Sequence, residues 1–171
     1  MMKEFRWFWA WQDEKEEVWL REMSQNGWHF ASVSFPGFFT FTQGEPTDYV
    51  YRLDYLTDKK EFGSYLQIFE DANWDYMGNM NGWQYFRQES IKGEAPEIFT
   101  DNESKSKKYQ RIMLFLVILF PVLFNSVVMV GKGAENSFLQ FFSLFMGLIL
   151  ILYAYGTIKL LQRISHLKKK I

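Results

Sequence analysis

Side chains suited to acid–base, nucleophilic or metal chemistry are sparse in these 171 residues, which hold no cysteine and two histidines, His29 and His166. Without thiols, disulfides and thiolate metal sites are excluded. Neither histidine has carboxylates at a metal-binding helical spacing. We expect His29 on a strand surface and His166 at headgroup level. Glu14, Glu16 and Glu17 would suit paired-carboxylate work in a cleft, but they fall in the first turn of a helical pattern, where they complement the helix dipole. No G-x-S-x-G, Gly-rich phosphate loop or H-E-x-x-H occurs. The expectation is a protein that is not an enzyme, with no catalytic residue, no metal and no cofactor.

The polar residues to watch are therefore Arg6, Arg52 and Asp54. Arg52 and Asp54 share a strand face at i, i+2 within an otherwise aromatic stretch. If that face is covered, they form a structural ion pair or hold an anionic ligand. Beside them stand large rings: the chain has 34 aromatics, and all seven tryptophans precede residue 84. Trp28, Trp74 and Trp83 are the candidates for ligand or partner contact. Rings at alternating spacing serve core packing in a domain of about 100 residues. The alternative to packing, which alternating spacing favours, is a groove for an apolar ligand or a partner helix.

Those residues are positioned by a repeated pattern. Asp13–Glu16 and Asp58–Glu61 both read D-x-x-E, a capping-box spacing with Asp as N-cap. Each opens a helix, with Trp19, Leu20 and Met23 on one face of the first and Phe62, Tyr65, Leu66 and Phe69 on one face of the second. The first ends at Asn26-Gly27 before Trp28, the second at Ala72-Asn73 before Trp74. An aromatic strand precedes each helix: Phe5–Trp9, with rings on both faces, so that both faces are expected to be covered, and Tyr51–Tyr55. Arg6 and Arg52 stand at equivalent places. A hairpin follows each, turning at Phe35-Pro36-Gly37 and around Asn79–Gly82. The fold class is α+β: a duplicated βαββ domain over residues 1–99, forming one antiparallel sheet with two helices on one face.

Charge divides the chain. Residues 1–99 carry 9 Lys+Arg against 17 Asp+Glu, whereas residues 100–171 carry 10 against 3. An acidic domain opposes nucleic-acid binding. The basic part holds two uncharged runs, Ile112–Val130 and Asn136–Ile158. Nineteen helical residues reach roughly 28 Å, about the hydrocarbon thickness of a bilayer. We assign transmembrane helices to 112–130 and 137–161, joined by an extracytoplasmic loop over 131–136 and followed by a basic tail, 162–171. Lys107, Lys108, Arg111, Lys159 and Arg163 flank the spans at the membrane interface. The positive-inside bias puts both termini in the cytoplasm of a cell-membrane protein. No signal peptide is expected in the first thirty residues. Thr100–Glu103 fits a further capping box and makes 100–111 a helical connector. That connector either runs unbroken into the first span or ends at a flexible joint. Asn125, Ser126 and Gln140 could hydrogen-bond to another helix, which allows oligomers through the hairpin.

The runs Asp13–Trp28, Tyr49–Tyr55, Phe69–Trp74, Gly82–Arg87 and Ile98–Lys105 together resemble the bacterial family known as domain of unknown function 2812, over roughly residues 3–105. Asn73 departs from the pattern set by Gly27, where glycine would be expected. The resemblance implies transmembrane helices after the domain and genes beside PadR-type transcriptional regulators, hence a regulatory or stress-linked role. It supplies no catalytic residue. The expected function is a membrane-anchored cytoplasmic sensing or adaptor module. It would bind a protein partner, such as a transcriptional regulator or a transporter, or an apolar ligand. The alternative is an accessory subunit of a membrane transporter.

Overall fold

The computed structural model describes residues 1–56, 60–91, 94, 96–98, 102–132 and 137–169. The chain divides into two compact units, 1–101 and 102–171. In the first, β1 (Met2–Phe5), α1 (Asp13–Gln25), β2 (Trp28–Ser34) and β3 (Phe38–Gln43) are followed by β4 (Tyr49–Tyr55), α2 (Phe62–Asp71), β5 (Asp75–Met80) and β6 (Trp83–Glu89). Strand, helix and hairpin thus recur in the expected order.

The single sheet does not form. Two three-stranded antiparallel sheets are present instead, ordered β1-β3-β2 and β4-β6-β5. β2 and β5 lie side by side without a ladder between them. Each carries a register shift, between Phe30 and Ser32 in β2 and between Tyr76 and Gly78 in β5. A bulge twists its strand and breaks the regular row of amides that further pairing requires.

Nor do both helices share one face. Tyr51, Leu53 and Tyr85 on one face of the second sheet join Trp19 and Leu20 of α1 and Phe30, Phe39 and Phe41 of the first sheet in one core. Val50 and Phe86 on the opposite face meet Phe69 of α2 and Trp74. Consecutive residues of β4 are buried on both sides, so each face needs its own cover. Phe30 stacks on Tyr85 with centroids 5.2 Å apart, linking the two sheets, and Phe69 stacks on Phe86 at 4.1 Å.

Local signals hold unevenly. Gly27 has the left-handed φ of +78° expected after α1, and a Cβ there would meet the Gly44 carbonyl oxygen at 2.8 Å. Asn73 takes the matching place after α2 at φ +62°, so the short polar side chain does what glycine does at Gly27. The Asp13 capping box is not made. Gln12 is the N-cap, with no side-chain cap bond, and Asp13 is buried inside the helix. The Asp58 and Thr100 boxes involve residues outside those described.

The second unit is a pair of helices packed on each other, α3 (Asn102–Lys132) and α4 (Ser137–Lys168). Both overrun the assigned spans. α3 joins connector and first apolar run without a break, which decides against the flexible joint within residues 102–132. Over Lys105–Met129 and Leu139–Lys168 the helices are long and apolar enough to cross a membrane. Pro121 sits inside α3. A proline has no N–H to offer the carbonyl four residues earlier, here that of Val117. The Tyr153 hydroxyl of α4 donates to the nearby Leu116 carbonyl at 2.6 Å.

Candidate functional site

β4 is one of the two outer strands of its sheet, so every second amide and carbonyl points away from β6 and needs another partner. α1 supplies several. The Tyr49 amide donates to the Ser24 hydroxyl at 3.3 Å, and the Leu53 amide donates to Glu17 at 2.8 Å. The strand's own polar side chains supply two more. Arg52 donates to the Tyr51 carbonyl at 3.0 Å, and Asp54 accepts from the Tyr55 amide at 2.8 Å. Arg21 clamps Asp48 ahead of β4 through two 2.7 Å bonds, which hold that carboxyl below its ordinary pKa.

These bonds explain why α1 buries polar side chains beside Trp19 and Leu20. Asp13, Glu16, Glu17 and Ser24 are all buried. The expectation that Glu16 and Glu17 merely complement the helix dipole is corrected: both are consumed by the second sheet. Glu16 accepts from the Tyr85 hydroxyl at 2.7 Å inside the core. Desolvation outweighs that bond and, with Asp13 nearby, pushes the Glu16 pKa up to about 7. The same burial and the facing carboxylate raise Tyr85 well above its usual value.

At this edge one arginine bridges two carboxylates. Arg52 meets Glu17 at 3.3 Å and Glu97 at 3.1 Å. The next residue, Ile98, packs against the Val50–Phe69–Trp74–Phe86 core. The chain is therefore fastened to the α/β unit by one charge and one apolar side chain, four residues before α3 begins.

The remaining candidates scatter. Arg52 and Asp54 are partnered, but not with each other, because Asp54 accepts from Tyr65 of α2 at 3.0 Å. Arg6 lies beyond the end of β1, exposed, with its guanidinium 4.8 Å from the Trp19 ring centre. It is not in a second copy of the Arg52 environment. Trp74 belongs to the α2 core, whereas Trp28 and Trp83 pack half-buried around the other, so no single groove gathers the three. His29 sits half-buried in β2 with its Nε2 2.9 Å from the Glu45 carbonyl oxygen. His166 is exposed in the last turn of α4.

The expected first strand stops at Phe5, and the rings after it are not covered as alternation suggested. Phe8 packs on Trp19 and Phe39, but Phe5, Trp7 and Trp9 are 55%, 47% and 42% exposed. Trp9 and Trp11 stack almost parallel at 5.3 Å, Trp7 meets Trp9 edge-on, and Phe5 packs on exposed Phe38. A cleft of about 620 Å³ opens elsewhere, where Tyr49, Asn73, Asp75, Gln88 and Glu89 come together. Arg87 lies over the Tyr49 ring at 4.3 Å and pairs with Asp75.

In the helical pair, Lys107 and Arg111 are exposed, and Lys159 and Arg163 are half-exposed. Lys108 is buried with its ammonium 5.1 Å from the Tyr109 ring centre. Asn125 donates to the Pro121 carbonyl and Ser126 to the Val122 carbonyl, so the Ser126 hydroxyl proton and one Asn125 N–H are spent within their own helix.

The sequence pattern of a family described as protein of unknown function (DUF2812) matches residues 12–121. The chain belongs to the DUF2812 family. The family pattern begins at the N-cap of α1 and includes the β4 edge, the Arg52–Glu97 fastening and α3 as far as Pro121. It does not stop at the boundary between the units. No curated protein and no solved structure matches the chain.

Proposed function

We propose that the chain is a membrane-anchored cytoplasmic sensing or adaptor module, a regulatory component built from a duplicated βαββ unit. The unit binds a protein partner or an apolar ligand. The observation that carries this reading is the fastening of the tether: Glu97 and Ile98 engage the α/β unit just before one continuous helix enters an apolar run. A shift of α1 or β4 on ligand binding would act on Glu97 through Arg52 and so reach that helix. The duplication is supported by register shifts and left-handed residues that recur at matching places in both halves. The two spans, both termini in the cytoplasm and a link to a PadR-type regulator are parts of the same proposal.

The acidic cleft beside Asp75 and Glu89 is the surface assigned to the partner. The test places a photoactivatable amino acid at Gln88 of the full chain in native membranes. One recurring crosslinked protein is expected, lost when Asp75→Lys and Glu89→Lys are introduced together. Crosslinking that is diffuse, or indifferent to the two charge reversals, would remove the cleft from the proposal.

A further inference from the structure

Different forces hold the two ends of α1. From Trp19 onward its anchors are apolar: Trp19 and Leu20 lie in the main core, with Met23 packed beside them. Before Trp19 no apolar side chain of the helix is buried. Val18 is exposed, and the buried residues of that opening stretch are Asp13, Glu16 and Glu17. Gln12 makes no side-chain cap bond there. Three polar contacts tie the stretch to the second sheet. Glu16 accepts from the Tyr85 hydroxyl at 2.7 Å, and Glu17 accepts from the Leu53 amide at 2.8 Å and meets Arg52 at 3.3 Å.

The two glutamates differ in the charge they meet. Glu17 faces a guanidinium and can stay ionised where it lies. Glu16 makes no ion pair among the described residues, and its hydrogen bond comes from a neutral, buried hydroxyl. Its charged neighbours on α1 are the carboxyls of Asp13 and Glu17. The strands around α1 spend their charges elsewhere: Arg52 and Asp54 of β4 on Glu17, Glu97 and Tyr65, and Arg87 of β6 on Asp75. His29, the titratable group of β2, lies against Glu45 and the Tyr49 ring. A carboxyl buried beside like charge and without a counterion is stable only with its proton on. Burial, and to a smaller degree Asp13, raise the Glu16 pKa to about 7.

We propose that Glu16 is a proton-operated latch on the start of α1. With its carboxyl protonated, residues 13–17 lie against β4 and β6. With it ionised, that stretch lifts into water while Trp19 and Leu20 stay in the core. Glu17 leaves with it, which frees the Leu53 amide and leaves Arg52 with Glu97 alone of its two carboxylates. The ligand is the proton, and what it governs is the β4 edge. All of these contacts lie within the first unit, so the latch operates whether or not the helices cross a bilayer. In the open form Glu16 returns to its ordinary value of 4.5. Opening therefore grows as pH rises from there and levels off above about 7.

The test follows hydrogen exchange at the Leu53 and Phe86 amides by NMR, with the full chain in detergent micelles from pH 5 to pH 8. Each rate is divided by its intrinsic value at that pH to give a protection factor. In the wild type, Leu53 should be less protected at pH 8 than Phe86 of the central strand β6. Its protection should fall about tenfold between pH 6 and pH 8. Glu16→Gln keeps a partner for the Tyr85 hydroxyl and should leave Leu53 protection flat over that range. Wild-type protection at Leu53 that does not fall with pH overturns the latch, whether or not the variant folds. An equal fall in Glu16→Gln overturns it as well. Equal protection of the two amides at pH 8 does the same, because only global unfolding would then expose the edge.

Discussion

Glu16 shows how far the role of one side chain depends on where its helix lies. In sequence it is an acid in a helix's first turn; in the fold its carboxyl is in the core with Tyr85. Its folded pKa of about 7 lies above the ordinary 4.5. The folded state therefore holds a proton that the unfolded state releases. The stability this contributes is complete below pH 4.5 and is lost as pH rises through about 7. The loss amounts to ~3 kcal/mol. Glu16→Gln should match the wild type near pH 4.5 and be more stable at pH 8. Urea unfolding of the full chain in detergent, followed by tryptophan emission, measures the difference. A gap between wild type and variant that shrinks as pH rises would contradict a buried protonated Glu16.

At the scale of elements, α1 is a cover for an open strand edge as much as a packing helix. Glu17 is the test, because it serves the Leu53 amide and the Arg52 guanidinium together. Glu17→Ala should cost about 3 kcal/mol, from an unpaired buried amide and an arginine without its inner carboxylate. Glu17→Gln keeps an acceptor for Leu53 and should cost roughly half as much. Urea midpoints, with hydrogen exchange at the Leu53 amide, distinguish the two. If Glu17 served only the helix dipole, both changes would cost the same few tenths of a kcal/mol. Elements were legible in the sequence where their cause is local. Alternating rings mark β4, apolar spacing marks α2, and Asn26-Gly27 marks the end of α1. The D-x-x-E spacing misled at Asp13 because capping needs a backbone turn at Asp13 itself, and the turn falls at Gln12.

For the whole molecule, the two units differ in what holds them. The first has its own aromatic cores, and the second is two apolar helices packed on each other. Unfolding of the full chain in detergent should therefore show two separate transitions. Tryptophan emission should change at lower urea, with residues 1–101, while much of the far-ultraviolet helical signal of α3 and α4 survives. Coincident transitions by both probes would mean that the units unfold as one.

The sequence by itself determined the split into an acidic, ring-rich part and a basic, apolar part, since composition and uncharged length act without regard to folding. It determined the order of strands and helices within residues 1–91, because periodicity and turn residues are short-range. It also carried the family motifs. Tertiary structure alone decided that the strands make two sheets, that α1 and α2 cover opposite faces of the second, and that Arg52 joins Glu17 to Glu97. It likewise left Trp7 and Trp9 exposed where alternation suggested a covered strand. The physical reason is common to all four. Which edge stays open, and which carboxylate reaches it, depends on groups far apart in the chain, and local spacing holds no record of them.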